Sequence, residues 1–279
     1  MKDKLVPGAA SSLDIARLIP AVIEAGAGIM LHRNKGVSVE TKEDSSPVTA
    51  ADRDAEAVLL AALREIAPGI AVVAEEESAA GRLPAACDTF FLVDPLDGTK
   101  EYISGGDDFT VNVALVTAGE VVAGIVHAPA QSAIWWGDVP NRVAMRADIE
   151  HGAVVRGRRI AVRPCPRRPK AVASKSHANA ATESYLHDCG VEERVSIGSS
   201  LKFVLLAEGV ADLYPRPAPT MEWDTAAGHA VLLAAGGRVF DLDGGLLTYG
   251  KERYFNPGFV ASGSFAPPVM RPYLAGADR

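Results

Sequence analysis

The sequence predicts a layered α/β protein, and three observations predict it. Apolar residues recur at helical spacing over the first 66 positions; short apolar runs of strand character follow; and from residue 171 to residue 241 strand and helix patterns alternate. Strands interleaved with helices bury their apolar faces as stacked layers, not as a β-barrel or a β-sandwich.

The first element reads as a helix from about Ser12 to Arg33, with Ile15, Leu18, Ile19, Val22 and Ile23 on one face and Ser11 or Ser12 as its cap. Pro20 predicts a kink or a later start. A polar stretch from Lys35 to Ser46 ends at Pro47. Thr49 then opens a second helix, with Asp52 in capping-box position, a buried face of Val58, Leu59, Ala62, Leu63 and Ile66, and a stop at Pro68-Gly69. Residues 70–74 (IAVVA) and 89–93 (TFFLV) read as strands. Phe109 to Ala118 and Glu120 to His127 form an expected hairpin turning at Ala118-Gly119, extended by Ala133 to Trp136 and a segment near Val143. The second half reads as strand 171–174, helix 180–189, strand 194–198, helix 201–210, strand 211–215, helix 223–235 and strand 238–241. The Pro- and Arg-rich stretch 156–170 is the expected boundary between an N-terminal lobe, 1–155, and a C-terminal lobe, 156–279.

Composition narrows the function. The 279 residues carry 28 Lys+Arg against 35 Asp+Glu, a net charge of −7, so there is no basic excess to neutralise a nucleic-acid backbone. Three widely spaced cysteines with no CxxC argue against a disulfide framework and a structural zinc site, and fit a reducing compartment. No uncharged apolar stretch approaches the ~20 residues of a membrane span, since Ala21 to Leu31 is broken by Glu24. The first residues lack the apolar core of a signal peptide, and the expected location is the cytoplasm.

The chemistry concentrates in LVDPLDGTKEY, residues 92–102. An apolar strand delivers Asp94, and Asp97 follows within one turn. Two carboxylates this close repel unless a divalent cation neutralises them, and oxygen-only ligands select a hard ion, Mg²⁺ above all. The Leu96 carbonyl lies between them as a further oxygen. Gly98 and Thr99 begin a helix whose free N–H groups suit a phosphate. A second acidic group, AEEES (74–78), follows a strand, and Glu75 precedes Asp94 by nineteen residues, enough to return to the same sheet edge. Asp224 opens the apolar helix of MEWDTAAGHAVLLAAGG (221–237). Taken singly, Glu75, Asp52 and Asp224 also read as a surface acid and two helix N-terminal acids.

In combination these segments resemble the inositol monophosphatase superfamily of Mg²⁺-dependent, lithium-sensitive phosphomonoesterases, from PVTAAD (47–52) to FNPGF (255–259). Within it the chain is similar to the 3′(2′),5′-bisphosphate nucleotidase branch, on DPLDGTKEY (94–102), SKSHAN (174–179), IGSSLKF (197–203), AEGVADLYPR (207–216) and WDTAAGHAV (223–231). The resemblance implies an αβαβα layered fold with mixed sheets and helices between them. It implies Glu75, Asp94, Asp97, Asp224 and the Leu96 carbonyl as ligands of two or three Mg²⁺ ions, with Asp94 shared. It implies in-line attack by water without a phosphoenzyme. Thr99 and Asp52 would position and deprotonate the water, with Glu75 close by, and the Gly98 and Thr99 amides would hold the phosphoryl group. His177, Ser199, Lys202 and Arg216 match positions that hold the adenosine 5′-phosphate portion. The implied substrate is adenosine 3′,5′-bisphosphate, with 3′-phosphoadenylyl sulfate beside it in sulfur-assimilation metabolism, acted on by a monomer or homodimer with no polymeric nucleic-acid partner. Two alternatives stand: an inositol- or sugar-phosphate phosphatase with the same metal site, and a non-catalytic Mg²⁺ or nucleotide sensor.

Overall fold

The computed structural model describes residues 14–37, 39–41, 47–173 and 180–274. The expected caps Ser11 and Ser12 lie outside them, and the first cap described is Asp14, whose carboxylate accepts the Ala16 amide ahead of a 3₁₀ turn, Ile15–Leu18. Helix α1 (Ile19–Lys35) continues it with Pro20 in the first turn, where a missing N–H leaves no hydrogen bond unmade. The proline therefore marks a change of helix type and not a kink in mid-helix. By length and composition the stretch Ile15–Lys35 is apolar enough to cross a membrane, with 21 residues at mean hydropathy 1.4, half of it buried against the protein. It is not an uncharged stretch, since it carries Arg17, Glu24, Arg33 and Lys35. Its apolar face packs on the layer below.

The polar stretch after α1 contains a short antiparallel pair, β1 (Val39–Thr41) with β2 (Pro47–Thr49). Helix α2 (Ala50–Ile66) begins with the full capping box of Thr49 and Asp52. Next come β3 (Ala71–Ala74), the single turn α3 (Glu75–Ala79), β4 (Thr89–Asp97) and a second single turn, α4 (Thr99–Ile103). A meander of β5 (Thr110–Thr117), β6 (Glu120–Ala128), β7 (Ala133–Asp138), β8 (Val143–Glu150) and β9 (Ala153–Arg159) completes a seven-stranded sheet in chain order. Within this sheet only β3 and β4 pair in parallel. Ala118 and Gly119 both have positive φ, 51° and 81°, the type I′ turn that matches strand twist.

Two features of this sheet depart from the expected pattern. Strand β4 does not end at Val93. It runs through Pro95 to Asp97 with a register shift between Asp94 and Asp97, because proline cannot donate to the ladder and is accommodated at a bulge. Strand β9 occupies the first residues of the expected lobe boundary; it is an exposed edge strand, and Arg156, Arg158 and Arg159 suit an edge.

The rest of the chain forms β10 (Lys170–Ala173), α5 (Ala180–Asp188), β11 (Glu193–Ser196), α6 (Leu201–Ala207), β12 (Leu213–Arg216), β13 (Thr220–Met221), α7 (Trp223–Ala234), β14 (Arg238–Phe240), β15 (Phe255–Asn256), β16 (Phe259–Ser262) and α8 (Arg271–Leu274). A five-stranded mixed sheet has the order β11-β10-β12-β16-β14, and β13 pairs with β15. Strand β16, buried throughout, has no counterpart in the sequence pattern: a four-residue apolar run is indistinguishable from loop core by periodicity.

Alternation along the strands defines the layers. Phe91, Val93, Val111, Val113 and Leu115 bury against α1 and α2, whereas Phe90, Leu92, Ala114 and Val116 bury against α6 and α7. Val172, Tyr214, Phe259 and Ala261 of the second sheet join that same middle core, and Ala171, Leu213 and Val260 face α5 and Met270. The result is the αβαβα stack, with α6 and α7 sandwiched between the sheets.

Candidate active site

The site gathers where β3 and β4 end and where α6 and α7 begin. Because β3 and β4 are parallel neighbours with Ala74 opposite Val93, Glu75 and Asp94 emerge side by side. Asp94 is 1% exposed, and its Oδ1 accepts the Leu96 amide at 3.0 Å. Burial, then repulsion from Glu75, Asp97 and Asp224, pushes its carboxyl well above the usual carboxylate range. The same forces raise Asp224, whose Oδ2 accepts the Met221 amide at 2.9 Å. Asp97 is raised by burial and held back by the Lys202 ammonium and by hydrogen bonds from Ser200. Four carboxylates from three elements therefore act on one another through a poorly solvated space. Among the described residues no three of them are drawn to coordination distance around one point.

Thr99 and Asp52 meet as expected. Thr99 Oγ1 lies 3.4 Å from Asp52 Oδ1 and 3.1 Å from the Leu96 carbonyl, to either of which it donates. Asp52 is 1% exposed, and its other oxygen, Oδ2, accepts the Thr49 amide at 2.8 Å and the Thr49 hydroxyl at 2.6 Å. Gly98 caps α4 in the left-handed region at φ 95°, and a Cβ there would stand 2.8 Å from the Asp108 carbonyl. Both conditions demand glycine. Helix α4 has only five residues, so its free N-terminal amides, more than any helix dipole, are what this turn offers a partner.

Asp97, Gly98, Ser199, Lys202, Arg216 and Asp224 line a common cavity of about 180 Å³. Lys202 is 5% exposed; its Nζ donates to the Ser199 carbonyl at 2.9 Å and lies 5.5 Å from the centre of the Tyr214 ring. Burial lowers its pKa to about 8, against the pull of Asp97 and with a push from Arg216. Ser199 does not share a helical face with Lys202. It precedes α6 with φ 47°, and its carbonyl, not its hydroxyl, meets the ammonium. His177 lies outside the described residues.

Two residues to which the sequence reading gives no role, Asn112 and Ser200, connect the halves of this site. Asn112 on β5 stands opposite Asp94 in the ladder, is fully buried, and donates to Ser200 Oγ at 3.0 Å with Asp97 Oδ2 at 3.5 Å. Ser200 Oγ in turn donates to the Asp224 carbonyl at 2.9 Å. The signal in the sequence is one amide in an otherwise apolar strand, TVNVALVT, where an uncompensated polar group costs about 1–3 kcal/mol.

The same fold recurs among known proteins. The model of the inositol monophosphatase family matches residues 13–268. The chain is 44% identical over 229 residues to the 3′(2′),5′-bisphosphate nucleotidase CysQ of Shigella flexneri, covering 82% of this chain and 90% of that protein. The crystal structure of CysQ from Bacteroides thetaiotaomicron superposes with a TM-score of 0.74 at 36% identity, over 90% of this chain and 97% of that one. An inositol monophosphatase from Anabaena superposes at 0.73 with 25% identity, over 94% and 95%.

Proposed function

The chain belongs to the inositol monophosphatase family, and on that premise we propose that it is a 3′(2′),5′-bisphosphate nucleotidase, removing the 3′-phosphate of adenosine 3′,5′-bisphosphate to give AMP and phosphate. 3′-Phosphoadenylyl sulfate, with the same pair of anionic groups, is a second substrate. A cytoplasmic setting in sulfur-assimilation metabolism goes with this reading, supported by three free cysteines, Cys87, Cys165 and Cys189.

Glu75, Asp94, Asp97, Asp224 and the Leu96 carbonyl would hold two or three Mg²⁺ ions. The fit rests on the donor set: all oxygen and crowded, with Asp94 and Asp224 raised by burial and then by repulsion among the acids, which a hard cation relieves. When bound, Mg²⁺ supplies charge neutralisation at the phosphoryl oxygens and acidifies the attacking water. The chain's own groups do the rest. Thr99 Oγ1 accepts from that water while donating to Asp52 Oδ1, so the proton released on attack finishes on a buried carboxylate. Glu75 stands beside the same water. The Gly98 and Thr99 amides receive phosphoryl oxygens as charge builds on them. Ser199, Lys202 and Arg216 would hold the 5′-phosphate portion, to which the resemblance also assigns His177.

The observation that carries the nucleotide reading is a pair of cations in the acidic cavity, Lys202 and Arg216. Lys202 also offsets the charge of Asp97, so Arg216 is the cleaner probe. Losing one charge-assisted contact costs about 1.5–3 kcal/mol. Arg216→Ala should thus lower kcat/KM for adenosine 3′,5′-bisphosphate at least tenfold and barely change the slow hydrolysis of an inositol monophosphate. Equal losses on both substrates would return the protein to the inositol- or sugar-phosphate phosphatases.

A further inference from the structure

We infer that Glu56, on α2, is a positioning residue that sets the orientation of Glu75 and through it the affinity of the acidic cluster for a divalent cation. The inference rests on the proposed reading of Glu75 as a ligand and adds a residue to which no motif assigns a role.

The observation begins with a helix that cannot cap itself. Helix α3 starts at Glu75 immediately after β3, and its N-cap is Ala74, which has no side-chain acceptor. Its first amides must find partners elsewhere. Glu56 supplies them from another element: Oε2 accepts the Glu76 amide at 2.8 Å and Oε1 accepts the Glu77 amide at 3.0 Å. The two carboxylate oxygens grip two consecutive peptides, fixing the turn against rotation about either bond alone. Glu75 is the residue just before the gripped pair, so its backbone direction at the end of β3 is set by that grip.

Glu56 is an unfavourable residue for stability alone. It is 4% exposed on a helix whose neighbouring buried positions are Asp52, Ala55, Leu59 and Leu60. Three more glutamates crowd the start of α3. Burial, and then the Glu76 and Glu77 charges, lift its pKa to about 7 in spite of both amides. Around it, Arg53 is paired with Glu40 and Arg82 with Glu77, and Arg64 lines the same cavity. A buried carboxylate held in this way restrains the chain, and what it restrains is the turn that carries Glu75.

The test is Mg²⁺ binding followed by titration calorimetry without substrate, on the wild type, Glu56→Gln, Glu75→Gln and the double variant. Glutamine keeps one acceptor and turns an NH₂ toward the second amide, so the two-point grip is lost while side-chain volume stays. The expected result is a Kd for Mg²⁺ raised at least fivefold in Glu56→Gln, with no further rise when Glu75 is already Gln. Nucleotide KM at saturating Mg²⁺ should remain within twofold of wild type. An unchanged Kd, or losses that multiply independently in the double variant, would overturn the inference and leave Glu56 a structural cap. Glu75→Gln with undiminished Mg²⁺ binding would instead strike the ligand assignment, and this inference with it. If Glu56→Gln fails to fold, Glu56→Asp keeps the charge but withdraws it from both amides, and the same comparison decides.

Discussion

Asp52 divides its carboxylate between two duties, one oxygen closing the capping box of α2 and the other facing Thr99. Asp52→Asn retains one acceptor and so cannot serve both. Turnover should drop by about two orders of magnitude, with a loss of about 1 kcal/mol of stability from the cap, read from steady-state kinetics and urea unfolding. Asp94 makes the opposite point. Its buried carboxyl is opposed by three other acids, so Asp94→Asn should lower turnover by orders of magnitude yet raise the melting temperature in excess chelator. A variant of normal rate, or one that melts lower in chelator, would remove Asp94 from the cluster. Residue types and spacing make both positions legible. They do not reveal Asn112 or Ser200, whose importance lies in bridging β5 to α6 and α7.

At the scale of elements, α7 owes its place to glycines on the strands beneath it. A Cβ at Gly124 on β6 would stand 2.7 Å from the Ala227 carbonyl, and one at Gly137 on β7 2.7 Å from the Ala230 carbonyl. The obstructing atoms are backbone, so the helix as a whole would have to lift. Gly137→Ala should therefore destabilise by about 1–3 kcal/mol and, because Asp224 rides on α7, also lower kcat/KM. Denaturant unfolding and rate assays on one preparation separate the two effects; unaltered stability would show that α7 has room to move. The helices themselves are readable from apolar period and caps. Their ends are less so: α6 stops at Ala207, three residues short of Val210, because Gly209 takes φ 69° and turns the chain toward β12.

For the molecule as a whole, two buried histidines set the acid limit. His127, on β6, donates Nδ1–H to the Ala133 carbonyl, and burial lowers its pKa to about 4; burial lowers His229, on α7, to about 3. Both are below the ordinary value of 6.5, so between that value and the folded one the unfolded chain binds more protons. Their stabilisation is complete above the unfolded pKa and is lost as pH falls, by up to ~1.4 kcal/mol per pH unit for each. Measured from pH 4.5 to 6.5 by urea unfolding, the slope of stability against pH should fall by about one proton in His229→Asn relative to wild type. An identical slope would mean that His229 titrates normally. Glu56, raised in the fold, contributes with the opposite sign, and Glu56→Gln should steepen the same curve.

What the sequence determined by itself was everything carried by near neighbours in the chain. The capping box of Thr49 and Asp52, the hairpin at Ala118-Gly119, the acids on either side of Pro95, and the strand–helix alternation that makes layers all depend on periods and contacts of a few residues. Even the approach of Glu75 to Asp94 followed from two strand ends and the length between them. Tertiary structure decided what depends on elements far apart: the bulge that carries β4 through Pro95, the place of β16 between β12 and β14, the Asn112–Ser200 bridge, and the grip of Glu56 on the turn that holds Glu75. It also decided that Lys202 stands against Asp97 as well as beside Arg216. The physical reason is that short-range torsional and hydrogen-bond preferences are written along the chain. The pairing of buried polar groups is settled only when layers close and each must find a partner that water no longer supplies.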